Sequence, residues 1–171
     1  LLDPIGQFGS RVLGGKDAAQ PRYIHTKLMD ISKKIFNQND FKLLDYNNDD
    51  GLLVEPVYYV PIIPMILVNG CQGIGTGWST DIPCFNPKDI ISNIKNILDE
   101  KEYTEMKPWF RKFKGTIDKR DNHLFRSKGK YSFRDDDTMI ISELPIGSWT
   151  DKYKEYLETL IIDSKVTDKK L

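Results

Sequence analysis

Residues 86–98, with the sequence NPKDIISNIKNIL, have the clearest structural signal in the chain. Asn86 has the side chain of a helix N-cap, and Pro87 takes the first helical position, where its missing N–H is not needed. The apolar residues that follow share one helical face: they are Ile90, Ile91, Ile94, Ile97 and Leu98. The segment therefore predicts an amphipathic helix that begins after Asn86.

Alternating patterns lie on the C-terminal side of this helix. Residues 128–134 and 138–144 alternate as strands do, and the acidic turn 135–137 separates them. Three consecutive aspartates in such a turn are expected to be solvated. A final helix is predicted after Thr150, with apolar residues on one face. Strands and helices in this order indicate an α+β fold.

Shorter patterns lie at the start of the chain. Glycines at four positions in residues 6–22 favour loop with a short strand. Apolar residues at helical spacing predict a short helix near residues 30–37, with Asp30 as its N-cap. The run of Asn, Asp and Gly at residues 47–51 predicts a turn.

The segment just before the predicted helix at residue 86 is rich in proline and glycine. Three prolines over residues 56–64 predict an extended segment, not a central strand. Residues 65–68 predict a short buried strand that runs into a glycine loop at residues 70–77. The change in composition near residues 60–64 predicts a domain boundary there.

Composition sets broad limits. A length of 171 residues predicts about one domain, or one and a piece, and 39% hydrophobic residues allow a core. The absence of a starting methionine suggests an excerpt from a longer protein. No apolar run approaches the roughly 20 residues of a membrane helix. Cys71 and Cys84 form neither a disulfide framework nor a zinc motif, which favours a reduced, intracellular compartment.

Charge is unevenly distributed, although 25 basic and 25 acidic residues cancel overall. Residues 107–134 carry ten basic and two acidic residues, a net charge of +8, interleaved with six aromatic residues. Residues 135–171 carry nine acidic and five basic residues, a net charge of −4. A basic stretch with aromatics is typical of a surface that contacts a phosphate backbone. A solvated, salt-bridged β surface is the alternative.

The glycine loop, GCQGIGTGW over residues 70–78, matches neither the dinucleotide fingerprint nor a Walker loop. It flanks Ile74 with glycines, so the isoleucine can approach another surface closely. Apolar wedges of this kind push between base steps and kink DNA. The alternative is a tight turn with Ile74 directed into the core.

A second candidate site is GGKDAAQPRYIHT, residues 14–26. Tyr23 carries a phenol that can act as a nucleophile toward phosphorus. The guanidinium of Arg22 can bind phosphate oxygens and stabilise charge in the transition state. Arg-Tyr is a common dipeptide, however, and a packing role for Tyr23 is the alternative.

Taken together, these motifs resemble the DNA topoisomerase II family. The matching blocks include PIGQFGSR (4–11), GGKDAA (14–19), PRYI (21–24), PIIPMILVNG (61–70) and GIGTGWST (73–80). They continue with PWF (108–110), GTI (115–117), ELP (143–145) and WT (149–150). Gly-Gln-Phe-Gly and Arg-Tyr-Ile resemble the eukaryotic type, not the bacterial gyrase type.

The resemblance implies roles for individual residues. Tyr23 matches the catalytic tyrosine that becomes linked to a DNA 5′-phosphate, and Arg22 matches the arginine that stabilises the transition state. Ile74 matches the isoleucine that intercalates and bends the duplex, and Trp149 matches a tryptophan that contacts DNA. The same blocks imply further DNA-facing residues, which are Lys16, Arg11 and Asn69.

Three positions depart from the family pattern. Cys71 and Gln72 stand where the family usually has Ala-Glu. His25 replaces the usual Phe or Tyr. A histidine two residues from Tyr23 could act as a general base, but the two side chains would share a face only if the segment were extended, so His25 is not assigned to the site.

The resemblance also implies an architecture. It predicts the end of a winged-helix (CAP-like) catalytic domain over residues 1–63 and the first part of an α/β tower domain over residues 64–171. Mg²⁺ and ATP would be bound by regions outside the chain, and no metal ligand is assigned within it. The 171-residue segment alone is then expected to show neither strand passage nor ATP hydrolysis.

The partners that the resemblance implies are double-stranded DNA and a second copy of the protein, in the nucleus. A non-catalytic DNA-bending module is one alternative function, and an α/β interaction domain is another.

Overall fold

The computed structural model describes residues 1–121 and 124–168, and side chains as far as residue 162. The helices are α1 Asp30–Ile35, α2 Met65–Asn69, α3 Pro87–Leu98 and α4 Thr150–Asp168, with 3-10 helices at Pro21–Tyr23 and Asp40–Leu43. The strands are β1 Leu2–Ile5, β2 His25–Leu28, β3 Tyr46–Asp49, β4 Leu52–Pro56, β5 Cys71–Ile74, β6 Ser79–Ile82, β7 Thr116–Asp121, β8 Leu124–Lys128, β9 Lys130–Phe133 and β10 Met139–Glu143. This mixture confirms the α+β class.

The described strands form two-stranded sheets. Consecutive strands pair as β1–β2, β3–β4, β5–β6, β7–β8 and β9–β10, and the last four pairs are antiparallel. The predicted strands at residues 128–134 and 138–144 are confirmed as the β9–β10 hairpin, with residues 135–137 exposed in its turn. The sequence did not predict the β7–β8 hairpin, which carries four of the ten basic residues of the stretch 107–134.

By internal contacts the chain divides into two compact units. The first comprises Leu1–Asp3 and Leu28–Lys112, and the second comprises Pro4–Lys27 with the chain from Phe113 onward. These units are defined by contacts between residues of this chain, and they do not test the predicted domains. The assignment of residues 1–63 to a winged-helix domain and of residues 64–171 to a tower domain stays a prediction.

Helix α3 anchors the first unit and confirms the prediction made from residues 86–98. The side chain of Asn86 accepts a hydrogen bond from the backbone N–H of Lys88 at 3.0 Å, as an N-cap does. Ile90 on the apolar face is only 2% exposed. The buried Asn93 pairs with both backbone groups of Thr104, at 2.7 and 2.8 Å, and so fixes the chain after the helix.

Two local predictions were wrong in detail. Residues 65–68 form part of helix α2, not a strand, because Pro64 starts a helical turn and Gly70, at φ +68°, ends it. An apolar run this short fits either structure by periodicity. Asp30 is the first residue of α1, and Met29 takes the N-cap position without a side-chain hydrogen bond.

Candidate functional site

Tyr23 ends the 3-10 helix Pro21–Tyr23, which the sequence favours because Pro21 presets a helical φ. The backbone N–H of Tyr23 donates to the carbonyl of Gln20 at 2.9 Å. The chain then becomes extended at Ile24. The side chain of Tyr23 is 65% exposed, so a bulky partner can reach the phenol.

Arg22 lies beside this phenol. Its guanidinium carbon is 5.0 Å from the centroid of the Tyr23 ring, within the range of a cation–π contact. Both side chains are exposed. The site thus presents a hydroxyl nucleophile and a fixed positive charge side by side, a combination suited to attack on a phosphate.

Tyr23 is supported by residues 6–19, named here the 6–19 loop. Gly6 has φ +108°, and a methyl group at this position would lie 3.3 Å from the Tyr23 carbonyl oxygen and 3.0 Å from Cγ2 of Ile24. The N–H of Ala19 donates to the carbonyl of Gln7 at 2.9 Å. The backbone around Tyr23 therefore packs against the start of this loop.

Asp17 closes the 6–19 loop. Its carboxylate accepts hydrogen bonds from the N–H of Ser10 at 2.8 Å and from Nε2 of Gln7 at 3.0 Å. The bonds from Ser10 hold the pKa of Asp17 below its usual range. Gly15 donates to the carbonyl of Ser10 at 2.9 Å, which tightens the same turn.

The other predicted site residues of the second unit lie on or beside this loop. Lys16 is exposed. Arg11 forms an ion pair with Glu143 at 2.6 Å. Trp149 lies against Gly14, where a methyl group would be 2.6 Å from the indole Nε1. Lys16, Arg11 and Trp149 thus lie in the same unit as the Arg22–Tyr23 pair. Their contacts with DNA stay predictions.

Ile74 is presented to solvent. It pairs with Ser79 at the end of the β5–β6 hairpin and is 92% exposed. The N–H of Gly75 donates to the carbonyl of Trp78 at 2.8 Å, which closes the tip. Ile74 therefore does not point into the core, and its role as a wedge in DNA stays a prediction.

Sequence reasoning passed over Trp78, which is 86% exposed at the same tip. The usable signal was an aromatic residue directly after Gly77 in a glycine-rich turn. Two large apolar side chains on one hairpin tip form a surface suited to burial in a partner.

The base of this hairpin holds the remaining predicted site residue. Asn69 ends α2, is exposed, and accepts a hydrogen bond from the thiol of Cys84 at 3.1 Å through its carbonyl. Cys71 pairs with Ile82 and Gln72 with Asp81, so two of the three positions that depart from the family pattern lie in β5. Both Ile74 and Asn69 lie in the first unit, within Leu28–Lys112.

His25 begins β2 and is exposed. Because Tyr23 lies in a 3-10 helix, strand alternation does not place the two side chains on one face. A base role for His25 gains no support from that argument.

The described residues also bear on metals and membranes. Among the side chains of residues 1–121 and 124–162, no group of three His, Cys, Asp or Glu is arranged to hold a metal ion. Among the helices described up to residue 168, none has the length and apolar character needed to cross a membrane.

Comparison with known proteins agrees with the resemblance. The family model for the A-subunit of DNA gyrase/topoisomerase IV matches residues 1–170. The chain is 55% identical over 163 residues to DNA topoisomerase 2 of Acanthamoeba polyphaga mimivirus, covering 95% of this chain and 13% of the relative. It is 50% identical over 165 residues to DNA topoisomerase 2 of Plasmodium falciparum (isolate K1 / Thailand), covering 96% of this chain and 12% of the relative.

A solved structure is similar as well. The crystal structure of the Plasmodium falciparum topoisomerase II DNA-binding, cleavage and re-ligation domain superposes with a TM-score of 0.88 at 50% sequence identity. The match covers 96% of this chain and 22% of that chain. The chain thus spans only a small part of the proteins that it matches.

Proposed function

The chain belongs to the A-subunit family of DNA gyrase/topoisomerase IV, and we propose that the protein containing it is a eukaryotic-type DNA topoisomerase II. This protein would cut both strands of one duplex, pass a second duplex through the break and reseal it. The observation that carries the proposal is the exposed Tyr23 phenol with the Arg22 guanidinium 5.0 Å from its ring. The pair stands within the Pro-Arg-Tyr-Ile block that the resemblance rests on.

The cleavage step follows from the chemistry of the two side chains. The Tyr23 phenol oxygen attacks a backbone phosphorus, an O–P bond forms, and the bond from phosphorus to the 3′ oxygen breaks. The phenol proton is lost and the leaving 3′ oxygen becomes a hydroxyl. One phosphodiester replaces another, so the 3′ hydroxyl can attack the phosphotyrosyl ester and restore the DNA.

Arg22 has the electrostatic role in this step. Negative charge increases on the phosphate oxygens as the phenol attacks, and a guanidinium can donate two parallel hydrogen bonds to them. The exposure of both side chains leaves room for the duplex. The cation–π contact holds the guanidinium near the phenol before DNA arrives.

The β5–β6 hairpin would bend the bound duplex. Ile74 is 92% exposed and is flanked by two glycines, so little of its apolar surface is covered by this chain. Inserting such a side chain between base steps unstacks and kinks DNA.

Cofactors, a second subunit and a cellular location also belong to the proposal. Mg²⁺ and ATP would be bound by other segments of the longer protein. A homodimer follows from stoichiometry, since Tyr23 can cut one strand and a duplex has two. A nuclear location is part of the proposal, because the chain carries the eukaryotic-type blocks and its proposed substrate is double-stranded DNA.

A non-catalytic DNA-bending module is the second candidate, and the exposed Ile74 is the observation that favours it. Changing Tyr23→Phe in the full-length protein separates the two functions. Denaturant-trapped protein–DNA adducts are expected to disappear while DNA bending persists. Tyr58→Phe, at a tyrosine that is 61% exposed, is the matched control and should retain the adducts. Adducts that survive Tyr23→Phe would refute the catalytic assignment.

A further inference from the structure

We infer that Glu143 is a positioning residue for DNA cleavage, because it fixes Arg11 and with it the loop that places Tyr23. The inference rests on the proposed function and extends it to a carboxylate 120 residues away from the nucleophile. Glu143 is not proposed to touch the Tyr23 phenol or the DNA phosphate. It acts through Arg11 and the 6–19 loop.

Glu143 is a buried carboxylate whose two oxygens are both engaged. Its side chain is 8% exposed, and Oε1 lies 2.6 Å from Nη2 of Arg11. Oε2 accepts a hydrogen bond from the backbone N–H of Lys114 at 3.2 Å. Burial raises the pKa of Glu143, but the hydrogen bonds from Arg11 and Lys114 outweigh it and leave the pKa below its ordinary value. The buried group is therefore an anion held by two donors.

The arginine makes this pair a clamp on the 6–19 loop. Nη2 of Arg11 also donates to the carbonyl of Leu144 at 3.1 Å, so one side chain grips the end of β10 at two points. Both contacts are made by the same nitrogen, and the one to the carboxylate is charge-assisted. Arg11 is half exposed, whereas Glu143 is not, so the buried carboxylate supplies the fixed end of the contact.

Two neighbouring contacts hold the loop against the same segment. The N–H of Asp151 donates to the carbonyl of Val12 at 3.1 Å. The indole of Trp149 fills the space where Gly14 lacks a side chain. With Arg11, three positions within four residues are thus docked on residues 143–151.

A short series of contacts connects Arg11 to the backbone of Tyr23. Asp17 ties the N–H of Ser10 and the side chain of Gln7 together. The carbonyl of Gln7 accepts from Ala19, and Gly6 packs on the backbone of Tyr23. Fixing Arg11 therefore restricts the segment against which Tyr23 rests.

Placement matters because the phenol has little support of its own. Tyr23 is 65% exposed, so its position relative to a bound phosphate depends on the backbone that carries it. A misplacement of about 1 Å can reduce a reaction rate by roughly a hundredfold. A clamp on the supporting loop then affects the chemical step more than it affects DNA binding.

The test uses Glu143→Gln in the full-length protein. Glutamine keeps the size of the side chain and an acceptor for Lys114, but it removes the charge that holds Arg11. The rate of adduct formation at saturating DNA should fall by about tenfold or more, while the dissociation constant for DNA changes less than about twofold. Glu158→Gln is the control and should retain the rate, because the Lys154–Glu158 pair is 3.8 Å apart and exposed.

A double-mutant cycle checks that Glu143 acts through Arg11. In an Arg11→Gln background, Glu143→Gln should cause no further loss of rate, since the clamp is already absent. The inference is overturned if both backgrounds show the same loss. It is also overturned if Glu143→Gln lowers the melting temperature alone and leaves the rate unchanged. If the unchanged protein forms no adduct at all, the proposed function itself fails and this inference with it.

Discussion

The guanidinium of Arg22 lies over the ring of Tyr23, with its central carbon 5.0 Å from the ring centroid. Their adjacency follows from the sequence, but the contact follows from the 3-10 helix at Pro21–Tyr23 and the extended Ile24 after it. The pair therefore presents a nucleophile and a cation on one exposed surface before any DNA is bound.

Arg22→Lys keeps the positive charge and removes the planar fork. The ammonium cannot donate two parallel hydrogen bonds to a phosphate, so the adduct-forming rate should fall by about a hundredfold. DNA affinity should change little, because the charge remains. Single-turnover cleavage at saturating DNA measures the rate, and an unchanged rate would contradict the role given to the guanidinium.

Ile74→Ala should weaken DNA bending and leave the fold intact. The side chain is 92% exposed, so the free energy of unfolding should change by less than about 0.5 kcal/mol. Energy transfer between dyes at the two ends of a short duplex measures the bend.

Leu43→Ala is the matched control for Ile74→Ala, since Leu43 is 86% exposed in the same unit and plays no part in the proposed wedge. Only the Ile74 variant should straighten the bound duplex. Equal bending by both variants and the unchanged protein would eliminate the wedge.

Gly14→Ala should destabilise the protein more than Gly15→Ala. Both glycines have positive φ, +62° and +82°, so each substitution costs about 1–2 kcal/mol of backbone strain. Only the Gly14 methyl overlaps the Trp149 indole, which adds about 1–3 kcal/mol; around Gly15 there is open space. Thermal unfolding of the two variants tests this ranking. Equal melting temperatures would contradict the close packing of the Trp149 indole against Gly14.

Asp17→Asn should change how stability depends on pH. Hydrogen bonds from Ser10 lower the pKa of Asp17 in the folded state. The carboxylate therefore stabilises the fold above its unfolded pKa of about 4, and this contribution disappears as the pH falls through the lower folded value. Urea unfolding should show the unchanged protein more stable than the variant at neutral pH, with the gap closing below about pH 4. If the difference in the free energy of unfolding between the two proteins stayed constant with pH, Asp17 would not contribute to the loss of stability in acid.

Local signals predicted α3 and the β9–β10 hairpin well. An N-cap, a proline at the first helical turn and a long apolar face all agree for residues 86–98. Helix α2 has five residues, too few for periodicity to separate helix from strand. The length of an element thus decided how much its pattern could reveal.

In the candidate site too, local sequence revealed some residues and not others. Arg22 and Tyr23 were found because they are adjacent, and Ile74 because glycines flank it. Whether Ile74 points outward depends on the β5–β6 pairing, which the loop composition left open. The Arg11–Glu143 pair joins residues 132 positions apart, and no local pattern marks such a contact.

The most direct test identifies the residue that becomes linked to DNA. The full-length protein is incubated with duplex DNA and Mg²⁺, trapped with denaturant, and digested with protease and nuclease. Mass spectrometry of the peptides then locates the remaining nucleotide. We expect a nucleotide 5′-phosphate on the phenol of Tyr23 and on no other residue. Attachment to a different side chain, or cleavage without a covalent adduct, would contradict the catalytic role of Tyr23.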